Sequence, residues 1–305
     1  MDILTDKIQT SHLLDNQLVI DIETTGVDRS LSYIQVVGLL SNKGLNFMQL
    51  TAKDHEEEKI LLQKLRSELQ GKDIISYNGI NFDLPFIKAR MAFYNIEVPE
   101  INSHFDIFNY LIENRFFFST ESFALQAMEE ILSIERFENF EKSSDREFYN
   151  SIHNEKFARI CLHNKYDVIN TERLLAFTND LRRKRTLPFY YGQDLVSSYI
   201  EAININKNIC KVRISASQDS NLNYLKDLKS LKWQDKNVLI TFPIIEGFIA
   251  KGHLGHVYIQ DSYPLIEDSS NFNLDKRILL IYHNRKIELE NVKNIILKLI
   301  DEFLS

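Results

Sequence analysis

The stretch Leu18-Val19-Ile20-Asp21-Ile22-Glu23-Thr24-Thr25-Gly26 decides how the rest of the chain is read. Leu18 to Ile22 is apolar apart from one acid, which predicts a buried strand. Side chains alternate along a strand, so Asp21 and Glu23 share a face. At ~3.4 Å per residue their carboxylates stand roughly 7 Å apart along the backbone at the strand end. Gly26 lets the chain turn immediately afterwards. An isolated Asp-x-Glu pair is by default a solvated strand end. Here the preceding residues are apolar enough for a central strand, and two acids leaving a buried strand need a compensating charge.

Outward from this strand, residues 33–40 and 45–50 read as two more strands, with turn signals at 28–30 and 42–44. The short connections make the three antiparallel neighbours. Asp54 then caps a helix, with Glu57 at the capping-box position, Ile60, Leu61, Leu65 and Leu69 at helical spacing, and Gly71 at its end. Residues 73–77 form a fourth strand, and the strand–helix–strand connection is long enough for a parallel crossover. From residue 82 to 184 the pattern is mostly helical. The expectation is an α/β layered domain with a mixed sheet flanked by helices over residues 1–184. The basic cluster 182–185, followed by Pro188, marks the boundary. A second, smaller α+β domain is expected over residues 185–305, with strands at 209–216, 238–245, 256–259 and 277–282. An amphipathic helix over 289–304 carries Val292, Ile295, Ile296, Leu299, Ile300 and Phe303 on its apolar face.

Composition narrows the function classes. Hydrophobic residues at 44 % and charged residues at 26 % over 305 residues exclude a wholly disordered chain. Two cysteines, Cys161 and Cys210, exclude a disulfide framework and CxxC-type zinc sites. The net charge of −7 argues against strong non-specific binding to nucleic acid. Residues 1–184 hold 21 Lys+Arg against 29 Asp+Glu, an acidic half able to repel nucleic acid or to concentrate carboxylates for divalent metals. The N-terminus lacks the basic and apolar regions of a signal peptide, and the most apolar stretch, 238–250, is too short to span a bilayer. A soluble, cytoplasmic protein without membrane contact is expected.

Two further strings can carry chemistry. In Tyr77-Asn78-Gly79-Ile80-Asn81-Phe82-Asp83-Leu84-Pro85-Phe86, Asn78 and Gly79 form a turn and Asp83 opens the next helix. Taken alone, Asp83 is a helix N-terminal acid favoured by the dipole. In His163-Asn164-Lys165-Tyr166-Asp167-Val168, His163 and Asp167 lie four apart on one helical face. An Asp among Tyr166, Val168 and Ile169 is not readily a solvated face.

The three strings in this order resemble the DEDD 3′–5′ exonucleases of the ribonuclease-H-like fold. The third, HNxxDV, is similar to the YprB-type predicted exonucleases, and Ile131-Leu132-Ser133-Ile134-Glu135-Arg136 resembles that family's LLGIER stretch. The resemblance covers roughly residues 17–180. It implies a ribonuclease-H-like mixed sheet and metal-dependent hydrolysis of single-stranded DNA or RNA. Asp21, Glu23, Asp83 and Asp167 would ligate two divalent cations. Four carboxylates in one cleft need cations, and oxygen ligands without Cys or clustered His select Mg²⁺ or Mn²⁺. By the same resemblance, Asp21 bridges both ions, Glu23 and Asp167 complete the nucleophile-side ion, and Asp83 supports the other through water. His163 stands at the spacing the superfamily gives its tyrosine, with Leu162 in the usual histidine slot. It is expected as the general base, with a supporting or packing role as the alternative. Thr24, Thr25 and Asn78 would lie near the terminal nucleotide.

Three alternatives stay open: a vestigial nuclease domain serving binding or scaffolding, an endonuclease on the same fold, and bland structural readings of individual residues. Asp106 reads as a helix cap, His253 and His256 as surface hairpin residues, and Phe116–Phe118 and Phe189–Tyr191 as core aromatics, with base stacking as their alternative use.

Overall fold

Six strands form one mixed sheet: β1 (Asp2–Asp6), β2 (Gln17–Thr24), β3 (Ile34–Leu40), β4 (Phe47–Thr51), β5 (Asp73–Ser76) and β6 (Ser103–Asp106), in spatial order β1-β4-β3-β2-β5-β6. The computed structural model describes residues 1–10, 12–44, 46–136 and 155–304. β2 lies near the sheet centre, antiparallel to β3 and parallel to β5, as expected. β1 and β6 were not legible as strands. β1 is half-exposed along its length and pairs with β4, and β6 adds a parallel edge inside the segment read as helical. The helical reading of residues 137–154 falls outside the described residues.

Alternation along β2 sorts its two faces. Leu18, Ile20 and Ile22 are buried with Leu61, Leu62, Leu65 and Leu69 of helix α1 (His55–Leu69) and with Leu84, Phe86, Ile87 and Met91 of α2 (Asp83–Phe93). The opposite face carries Asp21 and Glu23. On that side Val36 of β3 packs on Ala158, Cys161 and Leu162 of the long helix that ends the first half of the chain. Between α2 and that helix lie α3 (Ile107–Glu113), a 3₁₀ turn (Arg115–Phe117) and α4 (Leu125–Leu132); the long helix is α5 (Glu155–Lys184).

Local signals set these elements. Asp54 Oδ1 accepts the Glu57 N–H (2.9 Å), and Glu57 reaches back to the Lys53 N–H (2.9 Å) rather than to that of Asp54. Gly71 follows α1 at φ +67°. Glu58 of α1 and Arg90 of α2 form a fully buried ion pair (2.7 Å), and Glu58 also accepts the Ile34 N–H. Such a pair fixes α2, and with it Asp83, because breaking it would strand a buried charge.

Gly38 sits opposite Asp21 on β3, where a Cβ would come within 2.5 Å of Asn164 Oδ1 and 2.7 Å of Val168 Cγ2. Gly38→Ala is therefore expected to push α5 off the sheet. The cost should be about 1–3 kcal/mol, as for other overpacked cores, read by denaturant unfolding.

The chain divides into two compact units, Met1–Glu113 with Ser122–Asn179, and Asn114–Glu121 with Asp180–Ser305. The second unit holds a hairpin β7 (Phe189–Tyr191) and β8 (Asp194–Val196). Its three-stranded sheet is built from β9 (Ser198–Asn206), β10 (Ile209–Lys226) and β11 (Lys229–Pro243). A four-stranded sheet follows, of β12 (Ile245–Ala250), β13 (His253–Ile259), β14 (Ile278–His283) and β15 (Lys286–Ile287), and then helix α6 (Leu289–Leu304). Val292, Ile295, Ile296, Leu299 and Ile300 of the predicted apolar face of α6 are buried with Trp233, Val212, Ile214 and Ile240, and Phe303 is half-buried against the same cluster. β10 and β11 run well beyond the expected strands, through a bulge between Ser215 and Ser220.

Candidate active site

The paired region of β2 and β5 ends at Val19 and Ile75, so the next residues of β2 leave the ladder on that side. The Ile22 N–H instead donates to Asp83 Oδ1 (3.0 Å), which ties the first residue of α2 to β2 between Asp21 and Glu23. Asp83 is only 4 % exposed. Burial pushes its carboxyl up to about 7, its hydrogen bonds oppose the rise, and the charges of Asp106 and Glu23 add to it. Asp21 is raised well above the usual carboxylate range, first by burial and then by repulsion from Asp83, Asp167 and Glu23. Asp167 is raised by burial against the pull of His163 and Arg136. The four acids singled out in the sequence thus share one electrostatic environment, drawn from β2, α2 and α5.

Asn164, one turn before Asp167, donates to Asp21 Oδ2 (2.8 Å) and to the Asp21 carbonyl (3.1 Å). Gln49 Nε2 of β4 holds Asn164 Oδ1 (2.8 Å) and the Cys161 carbonyl (2.8 Å). Tyr166 turns away, packing with the Val36 cluster.

Asp167 Oδ2 lies 3.5 Å from His163 Nε2. Ligand-type atoms of Glu23, His163 and Asp167 all fall within 4.8 Å of one another. Arg136 Nη2 donates to Asp167 Oδ1 (2.5 Å), and Arg136 Nη1 faces His163 Nδ1 (3.3 Å). An arginine nitrogen only donates, so this pairing assigns the lone pair to Nδ1 and the ring hydrogen to Nε2, toward Asp167. Neither Arg136 nor its partner Glu129 was singled out as a site residue. Arg136 entered only as the end of a family-like stretch, because no periodicity links residues 129–136 to α5.

The remaining candidates have plain places. Asn78 adopts φ +64° in the turn before α2, and its Oδ1 accepts from Asn81 Nδ2 (2.8 Å). Asp106 accepts the N–H groups of Asn78, Ile80 and Asn109, capping that turn and α3. Thr24 Oγ1 donates to the Gly26 carbonyl, and Thr25 Oγ1 accepts the Tyr33 N–H, so both hydroxyls shape the loop after Glu23. In the second unit His253 and His256 pack against rings, and among the described residues neither joins a group of three ligand-type side chains. Phe118 and Phe189 are buried and Tyr191 packs on Trp233, whereas Tyr190 is 68 % exposed.

A family model described as the RNase_H superfamily matches residues 18–193, more than half of the chain. The chain belongs to the RNase H superfamily. None of the curated proteins compared with it matches. Membership in the RNase H superfamily points to a nuclease-type hydrolase acting on nucleic acid, and nucleases of this fold typically use divalent metals. The donors fit such cations: partly buried carboxylates whose ionisation is opposed by desolvation and by one another's charge are stabilised by hard cations taking oxygen ligands. Among the described residues no helix is long and apolar enough to cross a membrane.

Proposed function

We propose that the chain is a metal-dependent 3′–5′ exonuclease that shortens single-stranded DNA or RNA and releases nucleoside 5′-monophosphates. The observation that carries this reading is the convergence of Asp21, Glu23, Asp83 and Asp167, from three separate elements, into one partly buried and mutually repelling set. These four would hold two Mg²⁺ or Mn²⁺ ions, which when bound activate the attacking water and polarise the scissile phosphate. Hydrolysis then places the water oxygen on phosphorus as the 3′ oxygen of the preceding nucleotide leaves. The chain at Thr24 and Thr25, together with Asn78, borders the position of the terminal nucleotide. Cys161 and Cys210 are buried and outside any disulfide, in keeping with a reducing, cytoplasmic setting.

The contacts of His163 favour bracing Asp167 over accepting a proton, because Nε2 can take a proton only once the ring releases Arg136. A bracing residue costs about 10–100-fold when removed, whereas a general base costs about 10²–10⁴-fold. His163→Ala is therefore expected to slow cleavage by about 10–100-fold at saturating metal. A loss of ~10⁴-fold would restore the general-base role.

The test is digestion of 5′-labelled single-stranded DNA and RNA oligonucleotides in Mn²⁺, Mg²⁺ or EDTA. A metal-dependent ladder receding from the 3′ end is the expected result and names the preferred sugar. Internal fragments would make the chain an endonuclease. No cleavage, with nucleic acid still bound, would make it a scaffold.

A further inference from the structure

One face of α5 is occupied by the segment that follows α4. His163, Asp167, Asn170 and Arg173 recur at helical spacing, and each meets that segment or the end of α4. Arg136 contacts His163 and Asp167, Asn170 Nδ2 donates to Glu129 Oε1 (2.9 Å), and Arg173 Nη1 donates to the Glu135 carbonyl (3.1 Å). The chain is brought there by the end of α4. Ser133 takes the left-handed conformation (φ +53°) and the Ile134 N–H bonds back to the Glu129 carbonyl, so Arg136 returns to Glu129.

The Glu129–Arg136 pair is two-pronged, Nε to Oε2 at 2.8 Å and Nη2 to Oε1 at 2.7 Å, with side chains 4 % and 12 % exposed. A planar guanidinium held in a fork keeps a fixed orientation. A cation beside a metal ligand would ordinarily compete with the metal. Here Glu129 offsets part of the charge of Arg136, which reaches Asp167 both as a charge and as a donor fixed in direction. A ligating carboxylate held by such a partner is oriented before the ion arrives.

We propose that Arg136 is a positioning residue of the carboxylate site: clamped by Glu129, its guanidinium fixes the Asp167 carboxylate and so presets it as a ligand for a divalent cation beside Glu23. This rests on the reading of the four acids as a metal centre. It assigns Glu129 and Asn170 a role in metal affinity although neither is among the proposed ligands.

The experiment is calorimetric titration of Mn²⁺ into the full chain, with melting temperature in EDTA measured alongside. Arg136→Gln is expected to weaken Mn²⁺ binding by about 10–100-fold. Because that change strands Glu129, the double variant Arg136→Gln/Glu129→Gln, which keeps an acceptor for Asn170, is the variant chosen to remain folded. It should be equally weak while melting near the wild type. Arg136→Lys, which restores charge without the fork, should stay weak. Unchanged or tighter Mn²⁺ binding in the double variant, or full rescue by lysine, would overturn the clamp while leaving the metal centre intact. A wild type that takes up no Mn²⁺ would overturn the metal centre, and the clamp with it.

Discussion

Asp21→Asn should abolish cleavage and, in EDTA, raise the melting temperature. Asp21 is opposed by burial and by the charges of Asp83, Asp167 and Glu23. An amide removes that repulsion, and its oxygen can still accept from Asn164 Nδ2, which bonds Asp21 Oδ2 now. The fold therefore loses a strained charge and keeps its hydrogen bond. Activity depends on the same charge, because Asp21 is one of the carboxylates that would hold the cations. Losing it should cost about 10³-fold or more, equivalent to at least ~4 kcal/mol of transition-state stabilisation. Opposite signs for stability and activity are expected where a site stores unfavourable charge for function. The checks are the oligonucleotide assay and a thermal melt. Residual activity within tenfold of wild type would remove Asp21 from the ligand set, and a lower melting temperature in EDTA would refute the electrostatic argument.

The four inner strands of the sheet were legible from local rules, whereas Asp83 and Asp167 stood out only through the ordered resemblance of three strings to a known family. An apolar run interrupted by acids at i and i+2 dictates a buried strand with a charged end, and Asp54 and Gly71 bound α1 by capping chemistry. Residues were missed where meaning depends on pairing across the chain. Gln49 and Asn164 are polar residues in apolar surroundings, and only the close approach of α5 at Gly38 shows them linked to Asp21. Arg136 reaches Asp167 by a turn at Ser133, a residue with no strong left-handed preference. The β10–β11 hairpin was underestimated for a similar reason. Its tight turn places Asp227 and Leu228 at φ +46° and +66°, and leucine there gives none of the Asn-Gly signal that marks such turns. The general-base expectation for His163 came from the family resemblance and an imidazole's ordinary titration range, neither of which shows the arginine facing its Nδ1.

Without divalent cations, stability should fall as pH rises from about 4 to about 7, and cations should remove the slope. The sign follows from proton binding. The Asp83 carboxyl is raised from an ordinary 3.8 to about 7, so between these values the folded state holds a proton the unfolded state has released. Stability then decreases with pH, is fully favoured below the unfolded value, and levels off above the folded one. A gap of about three pH units at 1.36 kcal/mol each sets ~4 kcal/mol as the upper scale for Asp83. Asp21 and Asp167 act in the same direction. Carboxylates with lowered values, such as Asp6, Glu57 and Asp261, oppose the trend only below their ordinary values, whereas His104, which burial lowers below 6.5, opposes it within the window, so the site's share is the difference between wild type and Asp83→Asn from pH 5 to 7. A cation bound at a hundred times its dissociation constant adds ~2.7 kcal/mol and should flatten the curve by favouring the ionised acids. Melts from pH 4 to 8 in EDTA and in Mn²⁺ test this, with Asp83→Asn as the control, since an amide oxygen can still accept the Ile22 N–H. An EDTA curve that is flat or rising even in His104→Gln, which removes the opposing histidine, would refute the buried-charge account of the site. A slope that persists unchanged in both Asp21→Asn and Asp83→Asn would transfer it to groups elsewhere in the chain.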